Sequence, residues 1–519
     1  MPSGFTRRRF LKALGAAACL ALSSTVGCAP LERTRKLRSL HTPKASALRI
    51  PKVLPLPSVS SPPPGSAWVF RSRPDLSPPA LDVAVRARDT APGYVFVAPE
   101  RGVAGQAGPM ILDDRGQVVW YRPLQGSNGR AMNLKMQTYR GRPVLTWIET
   151  VPGEYVIADD SYREIARLTA GNGHTGDHHE FLISPQDTAL ITVYNAVPRD
   201  LSSVGGSEDG LAWQGIIQEL DIETGEVLFE WHSIDHVDLD ETYATPSQDG
   251  RTGLDYFHIN SVEVDHDDNL LVSARETSTV YRIDRKSGEI IWRLGGKKSD
   301  FQMGKGARFA FQHDARRLPD GNISIFDNGN TVFKKGLPEA VEESRGIILE
   351  LDKRKMSASL VGEYTHPDKQ YADAAGNVQV LPNGAVFVGW GRALAISEFG
   401  KGGELLFDAR LAPQNRSYRA FRFPWSAHPS DRPVAAAERT SEDGVRIYAS
   451  WNGATEVATW EVLAGPRPYG LESLGSVPRD GFETPILAYT PEACVAARAQ
   501  DASGRILGTS EPIDIEPES

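Results

Sequence analysis

Five polar residues in the middle of the chain have side chains suited to binding and moving an anion. They are His258, Asn260, Arg275, His313 and Asn328. Arginine presents a planar fork of N–H donors that matches a tetrahedral oxyanion, and asparagine and histidine add donors without adding fixed charge. A neutral histidine is also a nucleophile that can carry a transferred group. The five residues therefore suggest a site that holds and transfers a tetrahedral oxyanion.

The spacing of β-hairpin turns predicts that these residues converge. Turn residues between short apolar runs mark hairpins, and alignment of three hairpins on their turns makes Thr188, Asn269 and Asn322 equivalent. Nine residues before each of these come the equivalent residues His179, Asn260 and His313. Equivalent positions in successive repeats point to one place, so His179 joins the candidate site.

Antiparallel register supplies a partner for two of them. A turn at Asp267-Asp268 places Asn260 opposite Arg275, and a turn at Asp320-Gly321 places His313 opposite Asn328. Cross-strand neighbours lie about 5 Å apart. His258 shares a strand face with Asn260, because side chains two residues apart point the same way.

Each residue also has a simpler interpretation. A single histidine in a strand is more often packed or exposed than catalytic, and Arg275 could pair with Glu263 or Glu276. His178 is expected to face away from His179. The cluster His266-Asp267-Asp268-Asn269 is interpreted as a turn, since it lacks the spacing of a calcium loop, and no His/Cys spacing predicts zinc. We therefore expect neither a metal nor a cofactor.

Repeated elements around the candidate site predict an all-β fold, a six-bladed β-propeller with a small β appendage formed by terminal segments. Pairs of apolar strands alternate from about residue 90, and two hairpins per repeat make a four-stranded blade. The inner hairpins are predicted to start near Met132, His179, His258, His313, Asn377 and Val434. The early strand at 109–120 is predicted to join the last blade near Val434 to Leu463, which would close the ring. The domain boundaries are 66–463 for the propeller with its N-terminal strands and 464–519 for a C-terminal β segment.

The N-terminus predicts export. Residues 1–28 combine Arg7-Arg8-Arg9-Phe10-Leu11-Lys12 with a short apolar run, which is typical of a twin-arginine signal. Cys28 follows a sequence that resembles a lipobox, so lipidation of Cys28 and simple cleavage with release both remain open. Residues 29–65 are basic and then proline-rich, and are predicted to be an extended tether. The expected location is periplasmic or at the cell surface.

Composition excludes some function classes. The formal net charge is −9, and no dense basic stretch in the predicted mature region suggests nucleic-acid binding. The chain has 3 cysteines. Lipidation of Cys28 would leave only Cys494 free, so no intramolecular disulfide would form.

Several motifs resemble the arylsulfotransferase family, the bacterial aryl-sulfate sulfotransferases. They are Tyr256-Phe257-His258-Ile259-Asn260-Ser261, Val272-Ser273-Ala274-Arg275, Phe311-Gln312-His313-Asp314-Ala315, Phe326-Asp327-Asn328-Gly329 and Ser417-Tyr418-Arg419-Ala420-Phe421-Arg422. The resemblance spans roughly residues 66 to 463 and implies a six-bladed propeller that moves sulfuryl groups between phenols without a nucleotide donor.

The resemblance also implies roles for individual residues. His313 matches the histidine that becomes transiently sulfated, His258, Asn260 and Arg275 match the sulfate-binding residues, and His179 resembles a further channel histidine. The implied partners are a small aryl sulfate donor and a phenolic acceptor. Periplasmic family members carry a disulfide that this chain would lack once lipidated.

Two other functions remain open. The same residues would serve a non-catalytic exported propeller that binds an anionic or sulfated ligand. A quinone-dependent dehydrogenase propeller is less favoured, because the sequence has no Cys-x-x-Cys-His haem motif and no vicinal cysteine pair. The natural donor, the acceptor and the oligomeric state are not predicted.

Overall fold

A computed structural model describes residues 52–57, 61–100, 102, 104–124, 129–247, 253–329, 343–412, 414–440 and 444–515. The described chain is built from β-strands, which confirms the predicted all-β class. Its helical elements are the short 3₁₀ turns Ser202–Val204, Ser233–Asp235, Leu239–Glu241 and Gly391–Ala393. The twin-arginine signal, Cys28 and most of the tether lie outside the described residues. In the part of the chain that is described, no helix has the length and apolar character needed to cross a membrane.

Four consecutive stretches of chain each form one antiparallel sheet, numbered here in chain order. Sheet 1 contains Ala131–Tyr139, Arg142–Glu149, Glu154–Ala158 and Glu164–Thr169, and sheet 2 contains Gly176–Ile183, Thr188–Arg199, Gly210–Asp221 and Val227–His232, with Leu254–Asp255 added in parallel. Sheet 3 contains Ile259–Val264, Leu270–Ala274, Thr279–Ile283 and Ile290–Gly295. Sheet 4 contains His313–Arg317, Ile323–Asp327, Arg345–Asp352 and Ser357–Thr365, with Gln302–Met303 added in parallel.

Two further sheets combine distant parts of the chain. Sheet 5 contains Asn377–Val380, Val386–Gly389, Ala395–Phe399 and Leu405–Leu411, with Leu81–Val85 at its edge. Sheet 6 contains Ala420–Phe423, which pairs with the N-terminal strands Tyr94–Val97, Met110–Leu112 and Val118–Tyr121. Sheet 6 thus combines strands from before sheet 1 with a strand from after sheet 5, and this pairing closes a circular array of sheets.

The first strands of the six sheets form a closed ring. Each one contacts the first strand of the next sheet, and Ala420–Phe423 contacts Ala131–Tyr139 of sheet 1. Buried apolar side chains lie between neighbouring sheets: Val272 of sheet 3 shares a core cluster with Leu190 of sheet 2, and Leu271 shares another with Ile323 of sheet 4. Antiparallel sheets packed face to face around a ring of inner strands are a propeller-type fold.

Turn chemistry explains why the strands end where they do. Sheet 4 turns through Pro319-Asp320-Gly321-Asn322, where Gly321 has φ of 91°, a conformation that costs glycine little. The Asp320 side chain accepts the backbone N–H of Asn322 at 3.0 Å, as aspartate commonly does in turns. Alternation of buried apolar residues with such turns is the pattern from which the repeats were predicted.

Two more sheets form a C-terminal β unit. One contains Val53–Pro55, Glu483–Tyr489, Gly444–Ser450 and Val434–Arg439, and the other contains Glu472–Pro478, Thr459–Gly465, Cys494–Gln500, Ile506–Thr509 and Ile513–Asp514. They enclose their own apolar core, which includes Ile447, Trp460 and Val495.

Three expectations about the chain ends are wrong. Ring closure uses Ala420–Phe423, whereas the strand at Val434 belongs to the C-terminal unit, so the boundary predicted at residue 463 falls inside that unit. The segment 109–120, predicted to join the last blade near Val434, instead forms the strands Met110–Leu112 and Val118–Tyr121 of sheet 6, with Ala420–Phe423. Part of the predicted tether is folded, because Val53–Pro55 pairs with Glu483–Tyr489 and buries Val53.

Candidate functional site

A cavity of about 870 Å³ lies at one end of the ring. Its lining includes residues at or just before the start of the inner strands: Met132, His179, His258, His313, Ala375 and Tyr418. Because equivalent strands of the six sheets surround one axis, their first residues meet at the same end. Further lining residues are Glu100, Gly129, Arg130, Thr150, Val151, His178, Arg275, Ala374, Gly391, Arg392, Arg416 and Ser417.

His313 is buried in the cavity wall with both ring nitrogens in contact with neighbours. Its Nδ1 lies 2.7 Å from Asn328 Oδ1, and its Nε2 accepts the backbone N–H of Ala375 at 3.2 Å. Asn328 donates through Nδ2 to the carbonyls of Ala372 and Ala375 at 2.8 and 3.0 Å, so its Oδ1 must face His313. Nδ1 therefore carries the imidazole proton, and Nε2 keeps its lone pair.

The charge state of His313 suits a nucleophile. Burial lowers the pKa of His313 well below the ordinary value of 6.5, and the nearby positive charge of Arg275 lowers it further. The hydrogen bond that His313 Nδ1 donates to Asn328 Oδ1 raises the pKa, but this effect is smaller. His313 is therefore a neutral imidazole near pH 7.

His179 and His258 are each held by a carboxylate. His179 Nδ1 lies 2.5 Å from Asp177 Oδ2, and His258 Nδ1 lies 2.5 Å from Asp255 Oδ2. The two imidazole rings meet edge to face, with centroids 5.0 Å apart. Since the carboxylates orient Nδ1, each ring is fixed while it lines the cavity.

Arg275 brings a guanidinium into the cavity. It forms an ion pair with Glu276, donates through Nη2 to the carbonyl of Asp373 at 2.9 Å, and lies over the Phe311 ring. Its buried Nε has no hydrogen-bond partner among the described residues. The guanidinium as a whole, which is partly exposed, supplies positive charge to the cavity lining.

Asn260 and Asn328 do not line the cavity. Asn260 is fully buried between sheets 3 and 4, where Nδ2 donates to the carbonyl of Gln312 at 2.8 Å. Asn377 makes the same bridge between sheets 5 and 6, to the carbonyl of Ala420 at 2.7 Å. Asn260 thus fastens neighbouring inner strands and does not touch a ligand in the cavity, whereas Asn328 acts through His313.

Both predicted cross-strand pairs are wrong, because the inner strands are irregular. Ile259 pairs with Ala274 and Ser261 with Ser273, so Asn260 falls in a bulge, and Arg275 donates its backbone N–H to the carbonyl of His258. His313 pairs with Phe326, and its ring nevertheless reaches Asn328.

Two aromatic residues of the cavity, His178 and Tyr418, were not predicted to belong to the site. The His178 ring lies against the His179 ring, with centroids 4.2 Å apart, although it was expected to face away. Tyr418 lies between histidines, with ring centroids 5.6 Å from His179 and 6.2 Å from His313. The Tyr418 hydroxyl is buried without a partner among the described residues, and burial raises its pKa, so it is a protonated donor. The sequence signal that could have identified Tyr418 is its position just before Ala420–Phe423, the strand that closes the ring.

A buried ion network forms the floor of the cavity. Glu180 is fully buried and pairs with Lys135 at 2.9 Å, with Arg316, and with Arg419 at 3.2 Å. Burial alone would raise the pKa of Glu180, but the three cations outweigh burial and hold it well below its ordinary value. Arg419 lies under the Tyr418 ring, while Lys135 and Arg316 line a second cavity of about 770 Å³. The network therefore separates the two cavities.

One group of described residues could hold a metal ion. Ligand atoms of Asp177, His178 and His179 lie within 4.8 Å of one another. Burial lowers the pKa of His178 to about 4, and the charge of His179 acts in the same direction, so His178 is neutral. In the structure, however, the Asp177 carboxylate faces Nδ1 of both histidines, at 3.3 Å from His178 and 2.5 Å from His179, and is hydrogen-bonded to the His179 ring.

Comparison with known proteins identifies one family. A family model described as Arylsulfotransferase (ASST) matches residues 135–412, which is more than half of the chain. This range contains most of the cavity residues, including His179, His258, Arg275 and His313. No curated protein matches the sequence.

Solved structures show only distant similarity. A protein of unknown function from Bacteroides caccae is 13% identical, with a TM-score of 0.38 over 64% of this chain and 98% of that chain. A streptogramin B lyase is 9% identical, with a TM-score of 0.35 over 65% and 96% of the two chains. Hydrazine synthase from Kuenenia stuttgartiensis is 12% identical, with a TM-score of 0.35 over 76% and 94%. Similarity at this level says nothing about the activity of this chain.

Proposed function

The chain belongs to the arylsulfotransferase family, and from this premise we propose that it moves a sulfuryl group from an aryl sulfate to a phenol through a sulfated His313. No nucleotide sulfate donor takes part. Neither a metal nor a cofactor is required, because nitrogen and oxygen nucleophiles alone carry the group.

The observation that carries the proposal is the environment of His313. A neutral imidazole, with Nδ1 protonated and the Nε2 lone pair unprotonated, lies in the wall of a cavity that also contains Arg275. The partly exposed guanidinium of Arg275 supplies positive charge for an equatorial sulfuryl oxygen. Hydrogen-bond donors that already surround the transferred group lower the activation barrier, because the site does not have to reorganise during the reaction.

The reaction has two balanced steps. In the first, Nε2 of His313 forms a bond to sulfur while the bond from sulfur to the phenolic oxygen breaks; the ring keeps its Nδ1 proton and becomes positively charged, and the phenolate leaves and takes a proton from water. The weak contact from the Ala375 N–H, at 3.2 Å, must be released as Nε2 turns its lone pair to sulfur. In the second, the oxygen of an acceptor phenol attacks sulfur, the N–S bond breaks, and the phenol proton is lost. His313 returns to its neutral form.

His258 and His179 border the same space as His313. Their Nδ1 atoms are engaged by Asp255 and Asp177, which fixes both rings against the cavity. We assign them to binding of the sulfuryl oxygens and of the reacting phenol oxygen. Holding donor and nucleophile together replaces an encounter of two molecules by a reaction within one complex.

The six sheets are the blades of one propeller in this proposal. The closed ring of inner-strand contacts and the pairing of Ala420–Phe423 with Tyr94–Val97 support six blades. Export by the twin-arginine route and lipidation of Cys28 are also proposed, on the sequence alone. Replacement of Arg7 and Arg8 by lysine should retain the precursor in the cytoplasm, and mass spectrometry of the mature N-terminus would detect the lipid.

The test is removal of the nucleophile. His313→Ala should abolish transfer of sulfate from 4-nitrophenyl sulfate to phenol, while His428→Ala, a change at a half-exposed histidine outside the cavity, should keep it. Mass spectrometry after incubation of the wild type with donor alone should find one sulfuryl group on His313. Normal turnover by His313→Ala would remove that residue from the role, and binding of aryl sulfates without turnover by the wild type would favour the ligand-binding alternative.

A further inference from the structure

The described lining of the histidine cavity carries more positive than negative side chains. Four arginines line it, Arg130, Arg275, Arg392 and Arg416, against one glutamate, Glu100. The whole chain, by contrast, has a formal net charge of −9. A cavity with an excess of one sign raises the local concentration of ligands of the opposite sign.

The arginines fall into two groups at different places. Arg275 and Arg392 are both bonded to Asp373, the first through the backbone carbonyl at 2.9 Å and the second through the carboxylate at 3.2 Å. Arg130 and Arg416 lie beside Glu100: Arg130 Nη1 is 3.6 Å from its carboxylate, and the Arg416 carbonyl accepts the Glu100 backbone N–H.

Tyr418 lies between the two groups. Its ring centroid is 6.2 Å from the ring of His313, and Arg275 lies over the ring of Phe311, two residues before His313. The same ring centroid is 6.2 Å from the ring of His178, and Arg416 precedes Tyr418 by two residues in the same cavity lining. A flat aromatic ligand lying along Tyr418 would therefore have one end at Arg275 and the other toward Arg130 and Arg416.

Arg416 is the cation without a counter-ion. The Glu100 carboxylate lies beside Arg130 and offsets the charge of that arginine. The described residues provide no ion pair or side-chain hydrogen bond to the half-buried guanidinium of Arg416. The cavity is also of the size that proteins use for drug-sized ligands, larger than a single-ring aryl sulfate needs.

From the two arginine groups on either side of Tyr418, we propose that the substrates are aryl sulfates and phenols that carry a second anionic group, such as a carboxylate, at the end of the ring system opposite the reacting oxygen. Arg416, supported by Arg130, binds that second anion. This inference rests on the proposed function and names its substrate class.

The experiment compares each carboxylate with its methyl ester, which keeps the ring system and the reacting oxygen but removes the charge; the ester is the better leaving group, so this difference works against the expected preference. The donors are 4-sulfooxybenzoate and 4′-sulfooxybiphenyl-4-carboxylate with their esters, so that one-ring and two-ring spacings are both tested. In the full chain, kcat/KM should favour the carboxylate about tenfold or more for at least one spacing, as a charge-assisted hydrogen bond commonly contributes. Arg416→Gln should reduce this preference about tenfold, and added salt should weaken it. Arg354→Gln, at an exposed turn outside the cavity, is the matched control.

A second measurement separates this inference from the proposed function. Isothermal titration with 4-sulfobenzoate and its carboxylate methyl ester measures binding alone, because a sulfonate cannot be transferred. Tighter binding of 4-sulfobenzoate that Arg416→Gln abolishes would support the second anion subsite even if no sulfate is turned over. Normal sulfate transfer with equal use of carboxylates and esters, or a carboxylate preference that Arg416→Gln leaves intact, would overturn the inference and leave the proposed function standing.

Discussion

The substitution Asn328→Asp tests whether His313 reacts as a neutral imidazole. Asn328 Oδ1 lies 2.7 Å from His313 Nδ1, and an aspartate places an oxygen at the same position. The tautomer is therefore kept, and the main change is a negative charge beside the ring. Because this charge stabilises the imidazolium, the pKa of His313 should rise.

The size of the rise follows from the contact. An opposite charge within about 4–6 Å shifts a pKa by roughly 1–3 units, and each unit corresponds to about 1.36 kcal/mol. In the wild type, burial and then Arg275 hold the pKa of His313 well below 6.5, so the neutral form dominates at pH 6. In the variant, the fraction of His313 that is neutral falls about tenfold for each pH unit below its raised pKa.

The substitution also has a structural cost. The amide Nδ2 donates to the carbonyls of Ala372 and Ala375, and aspartate would turn an oxygen toward both. Loss of two buried hydrogen bonds, with the carbonyls left unpaired, should lower the free energy of unfolding by a few kcal/mol, about 1–3 for each. Thermal melting of the variant checks that it is folded at the assay temperature.

The assay is the burst of 4-nitrophenol released by one equivalent of enzyme without acceptor, quenched into alkali, from pH 5 to 9. We expect the burst rate of the wild type to stay constant below pH 6.5. The acid limb of the profile, where the burst rate falls as His313 is protonated, should lie about 1–3 pH units higher in Asn328→Asp than in the wild type. Asn383→Asp, at an exposed turn that does not line the cavity, is the control. A folded Asn328→Asp variant whose acid limb coincides with that of the wild type would refute the assignment of His313 as the neutral nucleophile.

Three shorter predictions concern the cavity and its floor. Tyr418→Phe removes a hydroxyl without a described partner, so the melting temperature should hardly change, while kcat for 4-nitrophenyl sulfate should fall about tenfold if that hydroxyl binds the sulfuryl group. Arg275→Gln should lower kcat/KM for the donor about a hundredfold, since it loses a charged donor to the sulfuryl oxygens; unchanged kinetics would exclude Arg275 from the site. Glu180→Gln leaves Lys135 without its buried counter-charge and Arg419 paired with Asp314 alone, and should cost about 3–5 kcal/mol in urea unfolding, whereas a loss below 1 kcal/mol would show that the network is hydrated.

The repeats were predictable because local patterns determine them. Alternating apolar runs and Asp/Asn/Gly turns located the starts of the inner strands near Met132, His179, His258, His313 and Asn377. The sixth start was misplaced, since Ala420–Phe423 is a short strand whose partners come from the opposite end of the chain. Pairing between strands more than 300 residues apart leaves no local signal in the sequence. The apolar strand at Val434 therefore matched the pattern expected of the sixth inner strand.

The site was predictable in its residue types but not in its contacts. His179 and His313 line one cavity, as the alignment of hairpin turns predicted, and His258 and Arg275 line it too, although the register from which Arg275 was placed is wrong. The arrangement of Asn260 was not predictable, because a buried asparagine that bridges two strands has the same sequence signature as one that binds a ligand. Only the position of its partner, the Gln312 carbonyl, distinguishes the two.

Irregular inner strands account for the errors in register and also for the site itself. The inner strands of sheets 1 to 4 each shift register near their start, whereas those of sheets 5 and 6 are regular. Two of the four shifts contain a left-handed residue that is not glycine, Asn133 and Asp314 with φ of 58° and 55°, and His258, with φ of 54°, directly precedes the strand in which a third shift lies. Such conformations are costly and persist where the surrounding structure enforces them. In sheet 4, the shift lets His313 face the cavity while its neighbour Asp314 turns to Arg419 in the floor, so that consecutive residues serve the site and its support.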